Sequence, residues 1–312
     1  MKKDSKIWVA GSKGLVGSAI LRKLQKEGFT NLIVNDRTTL DLVSQDQVKD
    51  FFQAEMPEYV FLAAAKVGGI KANTLYKGEF IYNNLMIETN IIHYSYEYNV
   101  KKLLFLGSNC IYPKVCSQPI KEEYLLSGYL EETNDAYAIA KIAGIKMCQS
   151  YNQQYGTNFI SGMPCNMYGI NDNYHKENSH VFASIVRKLH EAKINGDKNI
   201  YLWGDGTPYR EFLHADDLAD ACYFLMCKDN TPDLVNIGSG KDYTISEIAH
   251  IMRDVIYPEC QISFDGNKDM NGTHKKLLDN SILESLGWRY KIELKECIKI
   301  SYEDFLTKSM SI

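Results

Sequence analysis

Tyr137 and Lys141 stand four residues apart in a stretch patterned as a helix, so both side chains rise from one face. A phenol titrates near 10, too high for fast proton donation at neutral pH, but an adjacent ammonium favours the phenolate. The spacing therefore predicts a tyrosine acid whose pKa Lys141 lowers. Upstream, Ser108 closes an apolar run and offers a hydroxyl to a substrate carbonyl. A carbonyl polarised by Ser108 and protonated by Tyr137 is prepared for hydride addition, the reduction of a ketone.

A hydride donor is predicted by Gly11-Ser12-Lys13-Gly14-Leu15-Val16-Gly17, a G-x-x-G-x-x-G loop that follows an apolar run and opens a helical pattern. Gly11 and Gly14 let the backbone turn and approach a pyrophosphate. Gly17 lets the helix pack on the sheet, and the N–H groups of the helix start, at Leu15 and Val16, face the anion. Asp36 lies where an NAD ribose ligand is expected, about 20 residues beyond the glycines. Arg37 beside it and Lys13 could instead bracket the 2′-phosphate of NADP, since a phosphate is best met by two cations. NADP is the favoured reading, and Asp36 keeps NAD open.

These residues need a frame. Apolar runs at 6–11, 31–35, 59–65, 102–108 and 158–164 alternate with helical patterns ending near Glu27 and Glu55 and spanning about 77–99 and 134–155. That rhythm predicts an α/β, doubly wound parallel sheet, with ligands at the carboxyl ends of the strands. Further on, helices are expected near 180–193 and 216–227, strands near 199–203 and 234–237, and a small α/β cap over 241–312. The dinucleotide domain is expected to take 1–165 plus about 211–240, and a smaller substrate domain about 166–210 plus 241–312. No low-complexity tract separates them.

The 312 residues are 45% hydrophobic and 24% charged, with a formal charge of −4 and no Lys/Arg-rich block. This argues for a compact enzyme and against nucleic-acid or anionic-membrane partners. No apolar stretch reaches the roughly 18 residues of a membrane span. The eight cysteines form no C-x-x-C pair and no zinc spacing, and read as reduced thiols in a cytoplasmic protein without a metal site.

Ala63-Ala64-Ala65-Lys66-Val67-Gly68-Gly69-Ile70, Gly107-Ser108-Asn109-Cys110-Ile111-Tyr112-Pro113, Tyr137 to Gly144, Asn178-Ser179-His180-Val181 and Arg210-Glu211-Phe212-Leu213-His214 together resemble the motifs of the GDP-L-fucose synthase family, extended short-chain reductases, over essentially the whole chain. The resemblance implies one site that epimerises GDP-4-keto-6-deoxymannose at C3 and C5 and then reduces C4 with NADPH. It assigns Ser108, Tyr137 and Lys141 to reduction, Cys110 as epimerisation base and His180 as epimerisation acid. Read alone, Cys110 is a small buried hydrophobe and His180 a solvent-facing residue at a helix start. The resemblance also places Ala64 and Pro164 at the cofactor, and Asn109, Asn166, Lys188, Trp203, Arg210 and Lys276 at the nucleotide-sugar. A homodimer is implied as well, with the helices at 77–99 and 134–155 as its interface.

Four positions depart from the family pattern: Asn109 for Ser, Ile170 for Pro, Lys188 for Arg, and Asp205 for a small residue. Lys188 keeps the charge but loses the bidentate fork, and Asn109 adjoins the sugar pocket. These departures leave open a C4-reductase of a GDP-4-keto-heptose for surface polysaccharide synthesis, with or without epimerisation. A non-catalytic NADP-sensing regulator is the remote alternative, opposed by the intact Tyr137 and Lys141.

Overall fold

Strands buried on both faces are mostly apolar, and four such runs build the centre of the sheet: β1 (Ile7–Ala10), β3 (Tyr59–Leu62), β4 (Lys102–Leu106) and β5 (Phe159–Pro164). A computed structural model describes residues 1–176, 179–268 and 271–309. With β2 (Leu32–Ile33) and β9 (Leu234–Ile237) at the edges, the order is β2-β1-β3-β4-β5-β9, every pair parallel. The order reverses beside β1, the place where such sheets bind ligands. Trp8 lies opposite Val60, Val60 opposite Leu103, and Leu103 opposite Phe159. The strands therefore end together, at Ala10, Leu62, Leu106 and Pro164.

The helices α1 (Leu15–Lys26), α2 (Gln45–Glu55), the short α3 (Ile70–Leu75), α4 (Lys77–Glu97), α5 (Asp135–Tyr155) and α7 (Ala215–Cys227) belong to this half. Helices α4 and α5, each 21 residues, pack along one another. β2 is shorter than the expected 31–35: after Ile33 the chain leaves the edge, and Val34 is exposed.

A second apolar cluster gathers Tyr168, Phe182, Val186, Phe212, Met252 and Ile298. It is built by β6 (Asn166–Tyr168), α6 (Val181–Asn195), β7 (Asn199–Leu202), β8 (Tyr209–His214), β10 (Asp242–Thr244), α8 (Ile245–Ile256), β11 (Gln261–Phe264) and α10 (Leu294–Ser309), while the short α9 (Ser281–Ser285) packs on β9. The tail is not a self-contained cap. β10 pairs antiparallel with β8, and β11 pairs parallel with β7, so the tail completes sheets begun before residue 215. All eight cysteines are free.

Candidate active site

Beyond the strand ends lies a cavity of about 1370 Å³. The glycine loop forms one wall. Gly11 has φ +86°, and a Cβ there would stand 2.8 Å from the Ala64 backbone; a Cβ on Gly17 would stand 2.1 Å from the Gly11 carbonyl oxygen. Only glycine lets this strand, loop and helix close so tightly. Gly14, the residue before α1, gives the helix no side-chain cap, which leaves the first N–H groups of α1 free at the cavity wall.

Asp36 accepts hydrogen bonds from the Thr38 backbone N–H at 2.8 Å and from the Lys13 ammonium. The ammonium holds the Asp36 carboxyl well below the usual carboxylate range. The two expected phosphate-binding cations are thus in different states: Lys13 is tied to Asp36, whereas exposed Arg37 makes no ion pair among the described residues. Ala64 and Pro164 line the same wall, with Leu15 and Val16.

Ser108 follows β4. Its Oγ accepts from the Cys110 backbone N–H at 3.2 Å and faces the same cavity as the Tyr137 phenol. Tyr137 and Lys141 share a face of α5, but the expected lowering of the phenol pKa is corrected by the structure. The Lys141 Nζ lies 5.9 Å from the Tyr137 ring centroid and 3.7 Å from Glu88 Oε1, so the carboxylate meets part of its charge. Burial pushes the Tyr137 phenol above its ordinary value, with Cys110 and Glu88 adding to the rise, and pulls Lys141 below its own.

Cys110 sits in a single 3-10 turn, Asn109–Ile111, where it is half-buried rather than sealed in a core. Asn134 Nδ2 donates to its Sγ at 3.4 Å, and the buried Asn109 places its Oδ1 3.9 Å away. Arg210 donates to the carbonyls of Tyr209, Thr273 and Asn271 at 2.7, 2.7 and 2.8 Å, and lies close enough to Cys110 for their charges to interact. His180 is the residue before α6. Its side chain opens into the cavity, yet the surrounding walls disfavour its charge and pull the imidazole below its usual value. The loop is held close: a Cβ on Gly69 would stand 3.0 Å from the Ser179 carbonyl oxygen. Asn178 lies outside the described residues.

On the remaining walls, Lys188 donates to the Tyr201 carbonyl at 2.6 Å, with its Nζ 5.4 Å from the ring centre of Trp203. Trp203 is half exposed and faces the cavity instead of a core. Asn166 donates to the Glu211 carbonyl at 2.9 Å. Lys276 is buried, and no carboxylate among the described residues pairs with it. Every residue singled out in the sequence for catalysis, cofactor or substrate lines this one cavity. Sequence reasoning missed Asn134 and Glu131, which also line it, and Glu88 behind Lys141. Nothing in their local pattern marks them, because tertiary contacts bring them there. The arrangement combines an uncapped helix start, hydrogen-bond donors for a carbonyl oxygen, a thiol, an imidazole and a set of cations that includes Lys188, Arg210 and Lys276.

Residues 7–238 match the model of the NAD dependent epimerase/dehydratase family. GDP-L-fucose synthase 1 of Arabidopsis thaliana is 55% identical over 304 residues, which cover 97% of this chain and 94% of the relative. The GDP-mannoheptose C4 reductase from Campylobacter jejuni, solved with NADP bound, superposes with a TM-score of 0.90 at 42% identity, covering 98% of this chain and 99% of that one. The GDP-L-fucose synthetase from Naegleria fowleri, bound to NADP, gives 0.92 at 28% identity, covering 100% and 95%.

Proposed function

We propose that this chain, which belongs to the GDP-L-fucose synthase family within the NAD dependent epimerase/dehydratases, is an NADPH-dependent 3,5-epimerase and 4-reductase that turns GDP-4-keto-6-deoxymannose into GDP-L-fucose. The observation that carries the reading is that a thiol and an imidazole line the same cavity as Ser108, Tyr137 and Lys141. A plain ketoreductase has no use for the first two.

Hydrogens on C3 and C5 are acidic because each carbon adjoins the C4 carbonyl. Cys110 is the base that takes one, while Ser108 and Tyr137 hydrogen-bond the enolate oxygen. His180 returns a proton on the other face. NADPH, when bound, supplies the hydride that reduces C4. Tyr137 then protonates the C4 oxygen, and the Lys141 charge stabilises the phenolate that remains.

The cofactor is NADP, consistent with the cradle made by Gly11, Gly14 and Gly17, the uncapped start of α1 at Leu15 and Val16, and the exposed Arg37 as partner for the 2′-phosphate. Lys13 and Asp36 flank the adenosine, and Ala64 and Pro164 the nicotinamide half. Arg210, Lys188 and Lys276 supply positive charge for the GDP diphosphate, Trp203 an aromatic face, and Asn109 and Asn166 polar contacts to the sugar. In this reading residues 1–165 with about 211–240 hold NADP, and about 166–210 with 241–312 hold the GDP-sugar.

No helix among the described residues is long and apolar enough to cross a membrane. A cytoplasmic homodimer feeding activated sugar to polysaccharide assembly completes the proposal. Tyr82 on α4 and Ile139 and Tyr155 on α5 are exposed, which supports pairing through these helices and is checked by light scattering.

The test of substrate is NADPH oxidation with GDP-4-keto-6-deoxymannose and, separately, with a GDP-4-keto-heptose, each product solved by NMR. Conversion of the hexose to GDP-L-fucose is expected. Consumption of the heptose alone would replace this reading with the heptose reductase.

A further inference from the structure

Glu88 takes no part in the reaction assigned above, yet it is a carboxylate in a place hostile to charge. It projects from α4 with a relative exposure of 1%, and neither carboxylate oxygen has a hydrogen-bond partner. Lys141, equally buried, places its Nζ 3.7 Å from Oε1 and 4.5 Å from the Phe105 ring centre. Space for the carboxylate is made by Gly144, just beyond Lys141 on α5. A Cβ at Gly144 would stand 2.1 Å from Glu88 Oε2 and 2.6 Å from the Phe105 ring. Glycine there, lysine one turn earlier and glutamate on the facing helix form one fitted unit.

We infer that Glu88 is a positioning residue, a buried counter-anion that fixes the place of the Lys141 ammonium and holds it in its charged form. The inference rests on the role given to Lys141 in the proposed function. A buried ammonium without an anion sheds its proton at much lower pH than in water, and the carboxylate opposes that loss. Burial acts on both partners here, drawing Lys141 down and raising Glu88 to about 7. The other titratable groups that face the pair are Tyr137 and Cys148, both on α5. Burial pushes both the phenol and the thiol above their ordinary values, while β4 contributes the uncharged Phe105. No group but Glu88 therefore supplies negative charge to Lys141 among the described residues around it.

The experiment compares wild type, E88Q, E88D and K141M with NADPH and GDP-4-keto-6-deoxymannose between about pH 6 and about pH 10. In E88Q the alkaline limb of log kcat is expected to enter or move down by at least about one pH unit. At about pH 8, kcat should fall roughly tenfold or more, with KM for both substrates within about twofold. E88D keeps the charge at a greater reach and should shift the limb in the same direction by less. A packing role alone would scale kcat evenly across pH and leave the limb where it is, and that result overturns the inference. If E88Q does not fold, E88D decides: a displaced limb supports the inference, and a limb at the wild-type pH overturns it. K141M separates the two levels. Wild-type turnover by K141M would remove the role given to Lys141, whereas an inactive K141M beside an unperturbed E88Q would sink the present inference alone.

Discussion

Lys13 and Lys141 both line the cavity, and each is paired with a carboxylate. In Lys13–Asp36 the side chains are 75% and 24% exposed, whereas in Lys141–Glu88 both are 2% exposed. Water screens the first pair and can take the place of either partner, so the pair is worth little in itself and can be rearranged by an arriving phosphate. The second has no water to fall back on: removing one partner of such a pair costs about 3–5 kcal/mol, because it strands a buried charge. Identical chemistry thus makes an adjustable contact at the cofactor wall and a fixed one behind the catalytic tyrosine.

The comparison breaks most visibly at the fixed end. Y137F and K141M are expected to lower kcat by about 10³-fold, within the range for loss of a general acid, while NADPH still quenches protein fluorescence at wild-type concentrations. Retention of more than about a tenth of the activity in both would remove the buried pair from catalysis. Next in size, C110S should suppress solvent-hydrogen exchange into the sugar by about 10²-fold or more, yet still oxidise NADPH with the unepimerised ketone. Its product would be a C4 alcohol of unchanged C3 and C5 configuration.

Smaller effects sharpen the contrast. G144A drives a methyl group toward Glu88 and Phe105, and overpacking of that kind costs about 1–3 kcal/mol, read as a drop of several degrees in Tm. A G144A protein as stable as wild type would mean that the α4–α5 contact yields easily. At the adjustable end, R37A should weaken the preference for NADPH over NADH about tenfold. K13A should change it only a few-fold, by an amount that shrinks as salt is added. Equal, salt-insensitive losses for R37A and K13A would contradict the reading of Lys13–Asp36 as an adjustable surface pair.

Much of the fixed architecture was legible in the chain. Strands β1, β3, β4 and β5 announce themselves because burial on both faces favours nearly continuous apolar runs, and Gly11 to Gly17 mark the turn between β1 and α1. β6, β8 and β10 were not legible. They are three to six residues long, rich in polar side chains, and become strands only by pairing with one another. Glu88 was hidden for a related reason, since an acidic residue in a long helix reads as solvent-facing until the packing of α5 buries it. The error over the Tyr137 pKa has the same origin: spacing brought Lys141 near, but burial and Glu88 decide what its charge does.

Whether one cavity both epimerises and reduces is decided by running the reaction with NADPH and GDP-4-keto-6-deoxymannose in D2O and locating deuterium in the product by NMR. GDP-L-fucose labelled at C3 and C5, with hydrogen from the cofactor at C4, is expected. A reduced sugar free of deuterium at C3 and C5 would contradict it and leave Cys110 and His180 without the roles proposed here.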